Sequence, residues 1–145
     1  MIIEKAVDPT GELLTALERL IPQLGADKIP PSRDELTRLI NSEASSLLIA
    51  RSPSGKSEIA GILTLVIYRV PTGIRSIVED VIVDERFRRK GIAQALMRRA
   101  IEMARNAGAS GVSLTSNPRR EQANLMYQKL GFLKRETNSY YLTLK

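Results

Sequence analysis

At 145 residues, 43% hydrophobic and 26% charged, the sequence reads as one soluble globular domain over residues 1–145, long enough to bury a core. It contains no cysteine and no histidine, which excludes disulfides, zinc thiolate sites, cysteine nucleophiles and histidine general bases. The net charge of +6 suits a polyanionic partner, yet two Phe, four Tyr and no Trp leave little to stack bases on, so a phosphorylated cofactor is expected rather than nucleic acid.

Apolar runs stay well short of the roughly 20 residues a membrane span needs, and the first residues lack the order of a signal peptide. A cytoplasmic location, no membrane partner and no metal are the expectations. Acid–base chemistry is left to Asp, Glu, Tyr, Lys, a terminus or water.

In chain order, Ile2 and Ile3 begin a short strand. Asp8 before Pro9 suggests an N-cap, and Leu13, Leu14, Leu17, Leu20 and Ile21 recur at helical spacing. Pro22, Gly25, Pro30 and Pro31 then break the chain. Ser32 with Glu35 makes a capping box for a second helix with Leu36, Leu39 and Ile40 on its apolar face. Ser46 to Arg51, Ile59 to Val70 and Ile74 to Val83 read as a three-stranded meander, with turns at Ser52 to Lys56 and Pro71 to Gly73. A helix follows from Ile92 to Ala107, stopped by Gly108. Val112 to Thr115 reads as a strand, and Asn117 to about Leu130 as a helix closed by Gly131. Phe132 to Arg135 and Tyr140 to Leu144 suggest a closing pair of strands. The order predicts an α+β fold with a mixed, mostly antiparallel central sheet flanked by helices.

The densest information lies between Glu79 and Ala93. A β-branched strand ends in a charged turn that opens onto a long helix. Arg88, Arg89 and Lys90 then sit where a helix dipole is positive, an arrangement that is locally unfavourable until an anion binds. Free backbone N–H groups at the same place make a main-chain anion site suited to a pyrophosphate.

Arg88, Arg89, Lys90, Gly91, Ile92 and Ala93 fit the pattern Gln/Arg-x-x-Gly-x-Gly/Ala, and the run Tyr127 to Phe132 resembles a second signature of the same family. In motifs and element order the chain resembles the GNAT N-acetyltransferase superfamily over nearly its whole length, the first 45 residues matching in layout only. The resemblance implies acetyl-CoA as cosubstrate and acetyl transfer to a primary amine. It puts the pyrophosphate on Arg88, Arg89, Lys90, Gly91, Ile92, Ala93 and Gln94. The pantetheine arm would lie beside Val81, Ile82 and Val83, bonding the backbone of Val81 and Val83. Tyr127 resembles the general acid that protonates the departing thiolate, with core packing and a satisfied hydroxyl as the alternative. Glu79 stands where the family often has a carboxylate to take the ammonium proton. Asp80 or water remain alternatives, and pairing of Glu79 with Arg75 is the structural one.

The pattern departs at Arg120, where an asparagine is common; Asn117 and Asn124 flank that place, and either suits a contact to the cofactor amides. Arg119 and Arg120 read as solvated first-turn residues or a clamp for the 3′-phosphate, and Asp84 and Glu85 as turn residues. The resemblance draws the acceptor wall from about Leu20 to Arg33 and Lys134 to Tyr140, which carry no motif that names an amine. A homodimer is allowed. Two other readings stand beside the enzyme: an acyl-CoA-binding regulatory module with little or no transfer, and a basic nucleic-acid-binding protein.

Overall fold

The computed structural model describes residues 1–52 and 57–145. The turn expected at Ser52 to Lys56 falls on residues 53–56, outside the described residues. The chain divides into two compact units, Met1–Leu114 and Thr115–Lys145.

The first unit is a five-stranded mixed sheet in the order β1-β2-β3-β4-β5. β1 (Ile2–Lys5), β2 (Ser45–Arg51), β3 (Ile59–Val70) and β4 (Gly73–Val83) are antiparallel neighbours, and β5 (Val112–Ser113) joins β4 in parallel. β2 and the first half of β3 are buried on both faces, which is why they read as continuous apolar runs rather than alternating ones. α1 (Gly11–Leu20) buries Leu13, Ala16, Leu17 and Leu20, one stripe at helical spacing. Together with Leu36 of α2 (Arg33–Asn41) they form one core cluster over Leu47, Ile49, Ile59, Ile62 and Ile82.

α3 (Ile92–Asn106) buries Ile92, Leu96, Met97, Ala100 and Ala104. It lies over the opposite face, because Gly61 alternates with the clustered Ile62 and abuts α3. A Cβ on Gly61 would come within 3.0 Å of the Ile82 carbonyl and 3.1 Å of Ile92 Cγ2. The missing side chain therefore sets how closely α3 can seat on the sheet.

Several boundaries differ from the sequence reading. Thr10, not Asp8, caps α1, its Oγ1 accepting from Leu13 N at 3.1 Å; a hydroxyl three residues before that N–H is the geometry a cap needs. The capping box of Ser32 and Glu35 is present in both directions. The apolar stripe of α3 ends at Ala104, and Ala107 is exposed.

In the second unit, α4 runs from Glu121 to Lys129, four residues later than Asn117. The Asn117 side chain instead makes a turn, its Oδ1 accepting from Arg119 N at 2.9 Å, an alternative to helix that asparagine favours. Gly131 ends the helix at φ 103°. The expected strands Phe132 to Arg135 and Tyr140 to Leu144 do not form, and Leu133, Tyr140, Tyr141, Leu142 and Leu144 are all exposed. The β-forming pattern is there, but it makes no ladder among the described residues.

Candidate active site

β4 carries an extra residue. Ile62 faces Ile82 and Thr64 faces Glu79, so Leu63 alone opposes both Asp80 and Val81. Asp80 sits at φ 50°, taking the left-handed place usually held by glycine in such a bulge. A bulge bends its strand and sharpens the twist. β5 pairs with β4 at Ser76 and Ile77 only, so among the described residues the end of β4 has no strand paired on that side.

The direction of the backbone groups there follows from one bond. Asp84 N donates to Ala60 O at 2.8 Å, so Ile82, two residues back, also turns its N–H and C=O toward β3. Val81 and Val83 turn theirs to the open side. The Val83 carbonyl is met there by Arg88 Nε at 3.3 Å. Ile82, by contrast, is buried in the core. Glu79 and Asp80 do not split between a buried and an exposed face as simple alternation suggests; the bulge intervenes and both are exposed. Neither is ion-paired among the described residues, and Arg75 bonds Thr72 at 3.0 Å instead of Glu79.

Beyond β4 the chain enters a short 3₁₀ turn, Glu85–Phe87, and then the loop to α3. Arg89 lies at φ 64° and Gly91 at φ 78°, two left-handed residues that fold the loop tightly over the helix start. Gly91 is the N-cap without a side-chain hydrogen bond, and the first turn of α3 holds no acid. Its leading N–H groups have no intrahelical acceptor. Arg88, Arg89 and Lys90 are exposed around them. Fixed N–H donors, a positive helix end and three cations converge on one place, as an anion site requires.

The loop is anchored by Asp84, which is 1% exposed. Its carboxylate accepts from Arg86 N and from the Arg86 and Arg19 guanidiniums, the ion pairs both at 2.9 Å. Burial on its own would raise its pKa; the Arg86 and Arg19 bonds outweigh that and hold it down to about 2. Arg19 also donates to Ile59 O at 2.8 Å, and Gln23 accepts from Glu85 N at 3.0 Å. α1, β3 and the turn are thereby tied together.

In the second unit, Asn117 and Asn124 are brought together: Asn124 Nδ2 donates to Asn117 O at 3.0 Å. Tyr127 is buried, with its ring edge-on to Phe132 at 6.0 Å. Its hydroxyl makes no hydrogen bond among the described residues, and the buried side-chain polar atom left without a partner there is the Oγ of Ser116. A buried polar atom left unpaired marks a place for water or a ligand.

The acetyltransferase (GNAT) family model matches residues 12–132, across both units. This chain belongs to the GNAT acetyltransferase family. Among solved structures, an acetyltransferase from Trypanosoma brucei is 25% identical, with 98% of this chain and 100% of that one covered at a TM-score of 0.76. A probable acetyltransferase is 22% identical, with 100% and 99% covered at 0.85. An aminoglycoside acetyltransferase from an uncultured soil metagenomic sample, bound to sisomicin, is 19% identical, with 99% and 96% covered at 0.82. No curated protein sequence matches significantly. The α+β fold with its mixed sheet and four helices is that of these GNAT acetyltransferases.

Sequence reasoning missed three residues of this GNAT chain. Asp84 reads in the sequence as a turn residue only, because nothing local announces a partner 65 positions away at Arg19. Gly61 had a signal, a lone glycine inside an apolar strand. Ser116 had none. Among the described residues no cluster of three or more His, Cys, Asp or Glu is placed to hold a metal ion, and no helix is long and apolar enough to cross a membrane.

Proposed function

We propose that this chain is an N-acetyltransferase that uses acetyl-CoA and acetylates a primary amine by direct attack, its two units acting as one domain. The observation that carries the reading is the edge at Val81 and Val83, with no strand paired on it among the described residues, running into an uncapped, acid-free helix start ringed by Arg88, Arg89 and Lys90. An extended pantetheine arm pairs with such an edge as a strand would, and a pyrophosphate suits the loop from Arg88 to Gln94. Asn117 or Asn124 would meet the amide groups of the arm.

The chemistry then needs three proton movements, two off nitrogen and one onto sulfur. An alkylammonium of pKa about 10.4 must lose a proton before it can attack. Glu79, exposed and unpaired, takes it directly or through water. The amine nitrogen bonds to the thioester carbonyl carbon and sheds its surplus proton to water, the tetrahedral intermediate collapses, and the C–S bond breaks with its electron pair on sulfur. Tyr127, whose hydroxyl makes no hydrogen bond among the described residues, donates a hydrogen bond or proton to that sulfur. Without cysteine or histidine, an acetyl-enzyme has no ready carrier, which favours one direct step.

The test is release of free thiol from acetyl-CoA with a panel of amines, aminoglycosides and peptides; the absence of cysteine gives a clean thiol background. Turnover with one acceptor class supports the reading. Tight acetyl-CoA binding with no turnover on any acceptor would point to a regulatory module. Tyr127→Phe should lower kcat by about 10-fold to 10⁴-fold with acetyl-CoA affinity and thermal midpoint little changed. Full activity across a pH profile, with chemistry limiting, would remove Tyr127 from the mechanism.

A further inference from the structure

Gly61 lies in the buried half of β3. Glycine weakens a strand, since it has no side chain to pack and more freedom to lose on folding. A left-handed backbone is not what calls for it, because the glycines with positive φ are Gly73, Gly91, Gly108 and Gly131. Room is what calls for it. A Cβ at this position would stand 3.0 Å from the Ile82 carbonyl oxygen, 3.1 Å from Ile92 Cγ2 and 3.4 Å from Leu96 Cδ1. Gly91 is the opposite case: its φ is 78°, and a Cβ there would meet nothing within 4 Å.

Two halves of the candidate site meet at Gly61. In the ladder it faces Val83, the last residue of β4. On its α3 side it lies against Ile92, the first residue of that helix. Val83 ends the strand edge assigned above to the pantetheine arm, and Ile92 opens the helix start assigned to the pyrophosphate. The turn and loop from Asp84 to Gly91 separate the two along the chain. Asp84 anchors only the near end of that loop, through Arg19 and Arg86. At the far end Ile92 and Leu96, 1% and 0% exposed, are seated on the bare backbone of Gly61.

We propose that Gly61 is a positioning residue for the cofactor, an inference that rests on the acetyl-CoA reading above. By carrying no side chain it holds the start of α3 at the distance from the end of β4 that one cofactor molecule spans. Gly61 is itself buried, so it acts through Val83 and Ile92 rather than by touching the ligand. Hydrogen bonds from the helix N–H groups weaken once donor and acceptor part beyond about 3.2 Å. A ligand with two joined ends gains from both seats only when their separation matches its own. Ile92 and Leu96 belong to the first two turns of α3, so a side chain at position 61 pushes that end of the helix outward. Each half-site then stays intact and the span between them changes.

Gly61→Ala and Gly61→Val insert spacers of increasing size, and three probes read the result. CoA needs both halves, pantetheine only the strand edge, and inorganic pyrophosphate only the helix start. Calorimetry gives the CoA affinity, and amide shift titrations at millimolar concentration give the other two, each at a temperature where the variant is folded by circular dichroism. CoA binding should weaken by about 3- to 10-fold in Gly61→Ala and about 100-fold in Gly61→Val, the scale of loss for a displacement near 1 Å. Both fragments should stay within about twofold of the native chain, because neither has to bridge the gap. Combining Gly61→Val with Ile92→Ala exchanges similar volume across the contact and should recover most of the CoA affinity.

A purely structural glycine gives a different pattern, in which the thermal midpoint falls and the folded variants bind all three probes as the native chain does. That pattern overturns the proposal. A parallel loss for all three probes also overturns it, since the damage would then lie within the half-sites. So does a double variant that binds CoA no better than Gly61→Val. Should Gly61→Val fail to fold, Gly61→Ala carries the same comparison. A native chain that binds no CoA brings down the cofactor reading and this one together, whereas CoA bound equally by native chain and variants removes this one alone.

Discussion

Two groups of cations sit within a few residues of one another and behave in opposite ways. Arg86, with Arg19, is committed: both bond the buried Asp84, and Arg86 reaches Glu58 as well at 3.2 Å. Arg88, Arg89 and Lys90 make no ion pair among the described residues. Lys90 lies 5.8 Å from the Phe87 ring and Arg88 touches only a carbonyl. The first group holds the turn in place; the second is left without an ionic partner among the described residues. Charge counting along the sequence sees five similar cations, whereas pairing to the buried Asp84 sets Arg19 and Arg86 apart from the other three.

The sharpest way to break that distinction is to cancel the second group. Gly91→Asp puts a carboxylate at the helix start and forces a non-glycine residue to φ 78°. The open space around Gly91 means that no clash is involved, only charge and backbone strain of about 1–2 kcal/mol. Acetyl-CoA affinity should fall by about 100-fold or more. Calorimetry giving unchanged affinity in the folded variant would sink the phosphate assignment. Gly91→Ala isolates the strain and should cost stability more than affinity.

Removing the anchor of the first group acts on folding. Asp84→Ala should destabilise by about 2–4 kcal/mol, because Arg19 and Arg86 lose a buried partner; urea denaturation reads it. The same carboxylate predicts an acid limb. Its pKa lies near 2 when folded against an ordinary 3.8, so its contribution, about 2 kcal/mol, is complete above 3.8 and is lost as pH falls toward 2. Denaturation curves of the native chain should show this slope, and those of Asp84→Ala should lack it.

The smallest effect should fall on Arg89, which combines a left-handed backbone with a free charge. Arg89→Gly should raise stability by about 1 kcal/mol while weakening acetyl-CoA about two- to fivefold. If affinity is unchanged and does not respond to salt, Arg89 serves the fold alone.

Where a residue's role is decided by near neighbours, the sequence was a good guide. The capping box at Ser32, the strand from Ile59 to Val70 and the stop at Gly108 were each legible, since hydrophobic period and backbone preference act within a few positions. The loop at Arg88 to Gly91 was legible too, because its cations conflict with the dipole beside them. Asp84 was not, as its partner lies on α1. The bulge at Asp80 escaped because aspartate gives no sign that it will adopt a glycine-like backbone. The closing pair of strands, Phe132 to Arg135 and Tyr140 to Leu144, was legible as a pattern but does not form as strands, for side-chain preference alone does not make a ladder.

That bulge has a consequence for how β4 tolerates change. Ile62 still faces Ile82 and Thr64 still faces Glu79 on either side of it, so Asp80 is the surplus residue and every other pairing is already in step. Deleting it would leave the ladder in register while removing the bend that holds the end of β4 clear of its neighbour. Most single-residue deletions in a central strand turn the remaining side chains inside out. Here one codon separates an open seam from an ordinary closed sheet, and the reading frame of the pleat survives either way.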